Sequence, residues 1–354
     1  MAMIHVPLRE TLQQHTKEGL LFRRVDEDMI ECFACGHRCK IREGRDGICH
    51  IRFNKQGTLM VPHGYVAGLQ VDPIEKKPFF HAYPGSKAMS FGMLGCDLHC
   101  AYCQNWITSQ ALADPSAGSD PQFASPEQIV NLARAHKARV LTSTYNEPLI
   151  TSEWAMEIFA LAKPAGFVCS YVSNGNGTPE VIDFIKPYVD LYKIDLKSFN
   201  DKSYRKLGTT LRNVTDTISR IHAEGIWLEI VSLIVPTFND SPDELRDMAS
   251  FIASVSVDIP WHVTAFHPDY KMTEPDQTSS TKLIEAANIG HTAGLRYVYA
   301  GNLPGKLGNL ENTYCHACQH LLVERTGFHV ISNRIDNGRC PTCKTPIPGR
   351  WSSS

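Results

Sequence analysis

The sequence predicts an α/β protein, and three observations carry that expectation. Short β-rich apolar runs recur through the middle of the chain, amphipathic helical patterns lie between them, and helix-start signals fall where a crossover should begin. The runs are Ala88–Leu94, Arg139–Tyr145, Phe167–Ser173, Leu191–Leu196, Trp227–Pro236, Trp261–Phe266 and Leu295–Ala300. Ser125-Pro126-Glu127-Gln128 and Ser241-Pro242-Asp243-Glu244 each put a capping serine before a proline at the first helical position. Asn200–Tyr204 and Asn213–His222 fill a further crossover. Regular alternation implies parallel strands with right-handed crossovers. About six such units suit an open (β/α) barrel or a doubly wound sheet, and periodicity does not choose between them. Polar residues gather at or just after the strand C-termini, where both architectures place their sites.

At 354 residues, 43% hydrophobic and 20% charged, the chain can bury a sizeable core. A formal charge of −2 gives no global basic field, so nucleic acid is not indicated as a partner. No apolar run is long enough to span a bilayer, and Met1–Glu10 lacks the apolar core of a secretory signal, so the expectation is a cytoplasmic protein. Twelve cysteines in such a compartment favour metal ligation over disulfides. Eleven fall in three clusters, and only Cys169 stands apart, inside an apolar strand where it reads as core. Cysteine content and periodicity divide the chain into a polar, irregular segment 1–85, a central α/β region 86–308 and a final segment 309–354. Ser352–Ser354 read as a frayed end.

The central cluster follows the first strand directly, in Gly95-Cys96-Asp97-Leu98-His99-Cys100-Ala101-Tyr102-Cys103-Gln104-Asn105. A Cys-x3-Cys-x2-Cys loop places three thiolates around one face of a cubane iron–sulfur cluster and leaves a fourth iron without a protein thiolate. An open iron can chelate a small molecule. The competing readings are a zinc knuckle, or a cluster whose fourth cysteine comes from elsewhere in the chain, such as Cys169. Zinc prefers four protein ligands in structural sites, and this loop offers three.

This segment resembles the CxxxCxΦC motif of the radical S-adenosylmethionine (SAM) superfamily, with Tyr102 as the aromatic. Together with Asp72-Pro73-Ile74-Glu75-Lys76-Lys77-Pro78 and Cys103-Gln104-Asn105-Trp106, it resembles the radical SAM member of the AmmeMemoRadiSam system, a relative of pyruvate formate-lyase activating enzymes. The resemblance covers nearly the whole chain. It implies a partial (β/α)6 radical SAM barrel with small cysteine-rich N-terminal and C-terminal segments. It also implies a [4Fe–4S] cluster on Cys96, Cys100 and Cys103 that cleaves SAM reductively, usually to methionine and a 5′-deoxyadenosyl radical. An external reductant such as flavodoxin or ferredoxin is implied, as is a functional link to Memo-like and AMMECR-type proteins.

The same resemblance points to a SAM pocket. In Thr144-Tyr145-Asn146-Glu147-Pro148, Tyr145 and Asn146 stand where the superfamily has a glycine pair, and Glu147 is the carboxylate expected to meet the SAM ammonium. Ser173-Asn174-Gly175-Asn176 resembles the ribose-contacting turn, although Asn-Gly alone reads as a simple β–α turn. In Leu191–Lys197 the charged Lys193, Asp195 and Lys197 share one face of a strand that should be apolar on both, so they need a polar cavity or mutual pairing. Asp195-x-Lys197 resembles a SAM-binding pair, and His262 an activating-enzyme histidine near SAM. A lone strand histidine also reads as a satisfied core residue. Phe266-His267-Pro268-Asp269-Tyr270 follows that strand and could face substrate.

Two further sets each supply four thiolates. Cys315-x2-Cys318-x21-Cys340-x2-Cys343 has paired knuckles near zinc-ribbon spacing and reads as structural zinc. Cys32-x2-Cys35-x3-Cys39-x9-Cys49 is less regular and suits zinc or an auxiliary iron–sulfur cluster. Ligands shared between the two ends are a third arrangement. The functional expectation is a radical SAM enzyme with the substrate open among protein, peptide, RNA and small molecule. The alternatives are a glycyl-radical-enzyme activating enzyme and, from a different class, a zinc-dependent binding module with structural metals only.

Overall fold

The computed structural model describes residues 8–351. The expectations for the first seven residues and for Ser352–Ser354 lie outside the described residues. At the centre is an eight-stranded sheet. Its strands are β1 (Gly68–Pro73), β2 (Lys87–Gly92), β3 (Val140–Ser143), β4 (Val168–Ser173), β5 (Leu191–Asp195), β6 (Trp227–Ile234), β7 (Trp261–Ala265) and β8 (Val298–Gly301). From β2 to β8 every neighbouring pair is parallel, while β1 pairs antiparallel with β2. Spatial order follows chain order throughout, with no reversal. A doubly wound sheet requires a reversal at a switch point, so sequential order resolves the two architectures in favour of the open barrel. Six crossovers join the seven parallel strands. Among the described residues β1 and β8 do not pair with each other, so the barrel is open.

Each predicted run forms a strand within a few residues of its expected ends. The crossover helices are α1 (Pro126–Ala135), α2 (Ser152–Ala162), α3 (Pro179–Ile185), α4 (Asp201–Leu207), α5 (Leu211–Ala223), α6 (Pro242–Val255) and α7 (Ser280–Thr292). Ser125 caps α1 in a reciprocal box with Gln128, and Ser241 accepts from the Glu244 amide to start α6. Helix starts therefore lie where local chemistry puts them. Cys169 is fully buried in β4 as core.

The first segment departs from the irregular reading. It contains two small antiparallel sheets, one of Phe22–Arg24, Met29–Cys32 and Lys40–Arg42, the other of Thr16–Glu18, Phe53–Lys55 and Thr58–Pro62. These strands have three to five residues, too few for a period of two to register. Strand β1 also comes from this segment and extends the central sheet. The residues after it, Ile74, Phe79 and Ala82, pack on Ala88, Val140 and Leu191 at the N-terminal ends of the strands. The final segment adds a three-stranded antiparallel sheet, Thr313–Tyr314, Leu321–Thr326 and His329–Asn333.

Candidate functional site

The loop after β2 carries Cys96, Cys100 and Cys103 to the C-terminal end of the barrel, and the fold fixes it from several sides. The Gly95 amide donates to the Thr108 carbonyl (3.0 Å), the His99 amide to Leu207 at the end of α4 (3.1 Å), and the Lys271 amide to Ala101 (3.0 Å). Gly95 has φ +94°, a conformation that favours glycine. The Leu98 amide points at the Cys96 sulfur (3.4 Å), and the Ser109 hydroxyl lies 3.2 Å from the Cys103 sulfur. Burial pushes Cys100 up to about 12 and Cys96 well above an ordinary thiol. Both are neutral thiols unless a cation compensates, as iron would. Three thiols on one loop, with a backbone amide already aimed at the Cys96 sulfur, fit three corners of a cubane.

Opposite this loop the next strands end in a polar ring. Glu147, after β3, is buried. It accepts from the Ser173 hydroxyl (2.7 Å), the Asn174 amide (2.7 Å) and the Leu149 amide (3.1 Å). Asn146 accepts from the Met93 amide (3.0 Å), tying β3 to the root of the cysteine loop. Asn174 donates to Asp97 (2.7 Å), and its amide nitrogen lies 4.0 Å from the Cys96 sulfur. Cys96, Asn146, Glu147, Ser173 and Asn174 thus meet in one place. Burial, and then Asp97, raise Glu147 above the ordinary carboxylate range.

Strand β5 completes the ring. Ile194 faces the helices, beside Val214 of α5, so Lys193, Asp195 and Lys197 face the barrel interior. Asp195 pairs with Lys193 and, at 3.2 Å, with Lys197. Burial alone would raise Asp195, but the two ammonium groups outweigh it and hold the carboxyl at about 2. Burial also opposes the charge on Lys197, and the Asp195 carboxylate is the first of the groups that offset it, so Lys197 is raised. The side chain of Asp195 keeps 32% exposure, so the interior is open to solvent at this level. The three charges therefore use both routes expected of them, pairing and a polar cavity.

One expected residue stands elsewhere. His262 lies in the N-terminal half of β7, bonded to Glu229 (2.7 Å), with its ring against Phe80 and Tyr299. The structure does not bring it to the cysteine loop; it satisfies a buried carboxylate at the far end of the barrel. Tyr102 is buried and packs on Phe238. The stretch after β7 does reach the site: Tyr270 stacks on Trp106 at 5.1 Å and donates to Asp114 (2.7 Å).

Sequence reasoning missed Asp97, which lies between two cysteines of the loop and is held by Asn174 and Asn176 (both 2.7 Å). An acid in a loop of buried thiols was the available signal. Tyr145 was also missed as a structural element. It has φ +71°, its ring lies against Gly68, and Lys77 reaches its hydroxyl (3.3 Å) while pairing with Asp72 (2.8 Å).

Outside the barrel top, the sulfurs of Cys315, Cys318, Cys340 and Cys343 all lie within 4.8 Å of one another, a set that could hold a metal ion. Cys32, Cys35 and Cys49 are buried and Cys39 half-buried, and Cys49 lines a small cavity together with Cys96 and Asp97.

An α/β barrel with a three-cysteine loop and a carboxylate–ammonium ring at one mouth is the arrangement of radical SAM proteins. Residues 92–252 match the Radical SAM superfamily. Over 335 residues the chain is 35% identical to an uncharacterized protein of Methanocaldococcus jannaschii, covering 94% of this chain and 98% of that one. The chain therefore carries a radical SAM superfamily domain, and members of that superfamily are generally enzymes. It is also 24% identical over 216 residues to a pyruvate formate-lyase-activating enzyme of Clostridium pasteurianum, across 56% of this chain and 87% of that one. The crystal structure of a radical SAM methyltransferase from Sphaerobacter thermophilus overlaps 90% of this chain and 87% of that chain, at 14% identity and TM-score 0.48. No helix among the described residues is long and apolar enough to cross a membrane.

Proposed function

We propose that this chain is a radical SAM enzyme in which Cys96, Cys100 and Cys103 hold a [4Fe–4S] cluster and the polar ring of the barrel mouth holds SAM. The observation that carries the reading is the convergence of Cys96, Glu147, Ser173 and Asn174, through Asp97, at one end of the strands. When bound, the cluster supplies the electron that breaks a carbon–sulfur bond of the SAM sulfonium. The chain's own residues do the positioning. Glu147 is the acceptor for the SAM ammonium, and receiving that cation removes the penalty on its ionised form. Asn146 fixes the loop bearing Glu147, Ser173 and Asn174 orient the carboxylate, and Asp195 with Lys197 offers charge of either sign to the remaining polar groups of SAM. The aromatic pair Trp106 and Tyr270 borders the cysteine loop on the side left for substrate.

The substrate stays open among protein, peptide, RNA and small molecule, and the resemblance to pyruvate formate-lyase-activating enzymes makes glycyl-radical activation the specific alternative. The electron donor is a flavodoxin or ferredoxin, the setting cytoplasmic, and Memo-like and AMMECR-type proteins are functional associates. Segments 1–85, 86–308 and 309–354 form a metal-binding segment, the barrel and a zinc-ribbon-like module. In the last, the Cys315–Cys343 and Cys318–Cys340 sulfurs are 3.6 Å apart. A tetrahedral ion with metal–sulfur bonds of about 2.3 Å has edges of about 3.8 Å, a spacing that supports the reading of this set as a site for one zinc ion.

Anaerobic reconstitution tests the reading. It expects a brown, dithionite-reducible protein that consumes SAM, and loss of SAM consumption in Cys100→Ala. A colourless protein carrying zinc alone would establish the binding-module alternative, and SAM cleavage persisting in Cys100→Ala would remove the site assignment.

A further inference from the structure

We propose that Cys32, Cys35, Cys39 and Cys49 hold a second iron–sulfur cluster, electronically connected to the central cysteine loop through Asp97. The inference rests on the reading of that loop given above and deepens it. It starts from spacing. Among the described residues, the C-terminal cysteines are the one group of three or more metal-ligating side chains gathered at single-ion distances. Neither the N-terminal set nor Cys96, Cys100 and Cys103 is gathered that tightly. A cubane separates its thiolates more widely than one tetrahedral ion does, because each sulfur binds a different iron.

The N-terminal set is nevertheless a built site. Cys32, Cys35 and Cys49 are each 5–6% exposed, whereas two of the C-terminal cysteines are exposed. The Cys32 amide donates to the Cys39 carbonyl (2.9 Å), the Arg38 amide to Cys35 (3.1 Å), and the Ile48 amide points at the Cys39 sulfur (3.5 Å). An amide aimed at sulfur stabilises a thiolate ligand and tunes a cluster's potential. The segment is fastened to the barrel by Arg52, three residues after Cys49, which pairs with Glu153 of α2 with both side chains 1% exposed.

The third observation is contact. His37, two residues after Cys35, places Nε2 2.9 Å from the carbonyl of Asp97, the neighbour of Cys96. The Gly36 amide donates to the Asn176 carbonyl (2.9 Å), and the Asn176 side chain donates to the Asp97 carboxylate (2.7 Å). A small cavity of about 140 Å³ is lined by Cys49 on one side and by Cys96 and Asp97 on the other. A β-carbon on Gly95 would sit 3.3 Å from the Cys49 carbonyl, so the two loops approach backbone to backbone. One hydrogen bond therefore links the chain carrying Cys35 to the chain carrying Cys96. Zinc has no redox chemistry and would gain nothing from that proximity. An iron–sulfur site there accepts one electron from a low-potential protein donor of the ferredoxin or flavodoxin class and passes it to the central site, with no atom or proton transferred.

The full chain, reconstituted anaerobically, is analysed for iron, sulfide and zinc. Two cubanes and one zinc predict about eight irons and about one zinc per chain; about four irons with about two zincs would overturn the proposal. Cys35→Ser/Cys39→Ser should lose about four irons while the remaining reduced signal still shifts on adding SAM. Should that variant not fold, the wild-type paramagnetic spectrum decides: two reduced spin systems are expected, of which SAM perturbs one, and a single system would sink the idea. Asp97→Asn should raise the midpoint potential of both, and an unmoved second site would refute the connection. Zinc at the N-terminal set beside a SAM-responsive central cluster defeats this inference alone. No SAM-responsive cluster anywhere defeats the parent reading instead.

Discussion

Glu147 carries the sharpest charge conflict in the barrel mouth. Its carboxyl is buried and lies near Asp97, with three neutral donors to satisfy it. Burial first, and Asp97 second, raise its pKa. A carboxyl whose folded pKa exceeds its unfolded value binds more protons folded than unfolded between the two, so stability falls as pH rises across that interval. In metal-free protein the slope from this group is at most about 1.4 kcal/mol per pH unit. Glu147→Gln should flatten the decline through the neutral range, read by urea denaturation at a series of pH values. Parallel declines in variant and wild type would show that Glu147 stays ionised and that the ring does not await a cation. The sequence exposed Glu147, Asp195 and Lys197 because a charge at a strand end or on a buried strand face is visible in the alternation of residues. It hid Tyr145, whose left-handed backbone is costly for an aromatic residue and is imposed by contacts with Gly68 and Lys77 that no local pattern encodes. A glycine would adopt that φ without strain.

At the scale of elements, the first segment is held to the barrel by a pair the sequence did not single out. Arg52 reaches Glu153 with two hydrogen bonds of 2.7 and 2.8 Å and also donates to the Ile150 carbonyl, while Glu153 accepts from the Leu20 amide. Both residues are fully buried, so removing one strands the other's charge away from water. Arg52→Ala should cost about 3–5 kcal/mol and loosen the segment, including the cysteines just before it. Hydrogen exchange should show residues 16–62 opening while the amides of β4 and β5 remain protected. Uniform loss of protection would mean that the segment and barrel unfold as one unit. Sequence periodicity recovered the seven parallel strands because each is an apolar run with a helix behind it. It could not recover the small sheets of this segment, whose short strands depend on one another. Nor could it place His262: a strand histidine is compatible with either end of a barrel, and only Glu229, from the neighbouring strand, decides which.

For the whole molecule, the C-terminal module is continuous with the base of the barrel. Cys315, Cys340, Leu322, Val323 and Ile347 pack with Phe80, Tyr297 and Tyr299, so two cysteines of the C-terminal set and the feet of the strands share one apolar cluster. Polar links cross the same boundary. Arg325, itself buried, donates to the Phe80 carbonyl (2.7 Å), and His81 bridges Tyr299 (2.6 Å) and the Pro348 carbonyl (2.7 Å). A small module of short strands gains much of its folding free energy from its metal, so stripping the metal should affect more than the module. Cys343→Ser leaves the buried cysteines in place and removes one exposed ligand. It should abolish stoichiometric zinc, measured by a colorimetric chelator after denaturation, and lower the thermal midpoint of the entire chain, because Phe80, Tyr299 and His81 lose their partners together. SAM should still perturb the central cluster below the new midpoint, since that cluster lies at the opposite end of the strands. If the variant loses zinc but keeps the wild-type midpoint, the module is an appendage and the shared cluster at the barrel base contributes little. If it loses the SAM response while folded, the two ends of the barrel are coupled in a way that the packing does not account for.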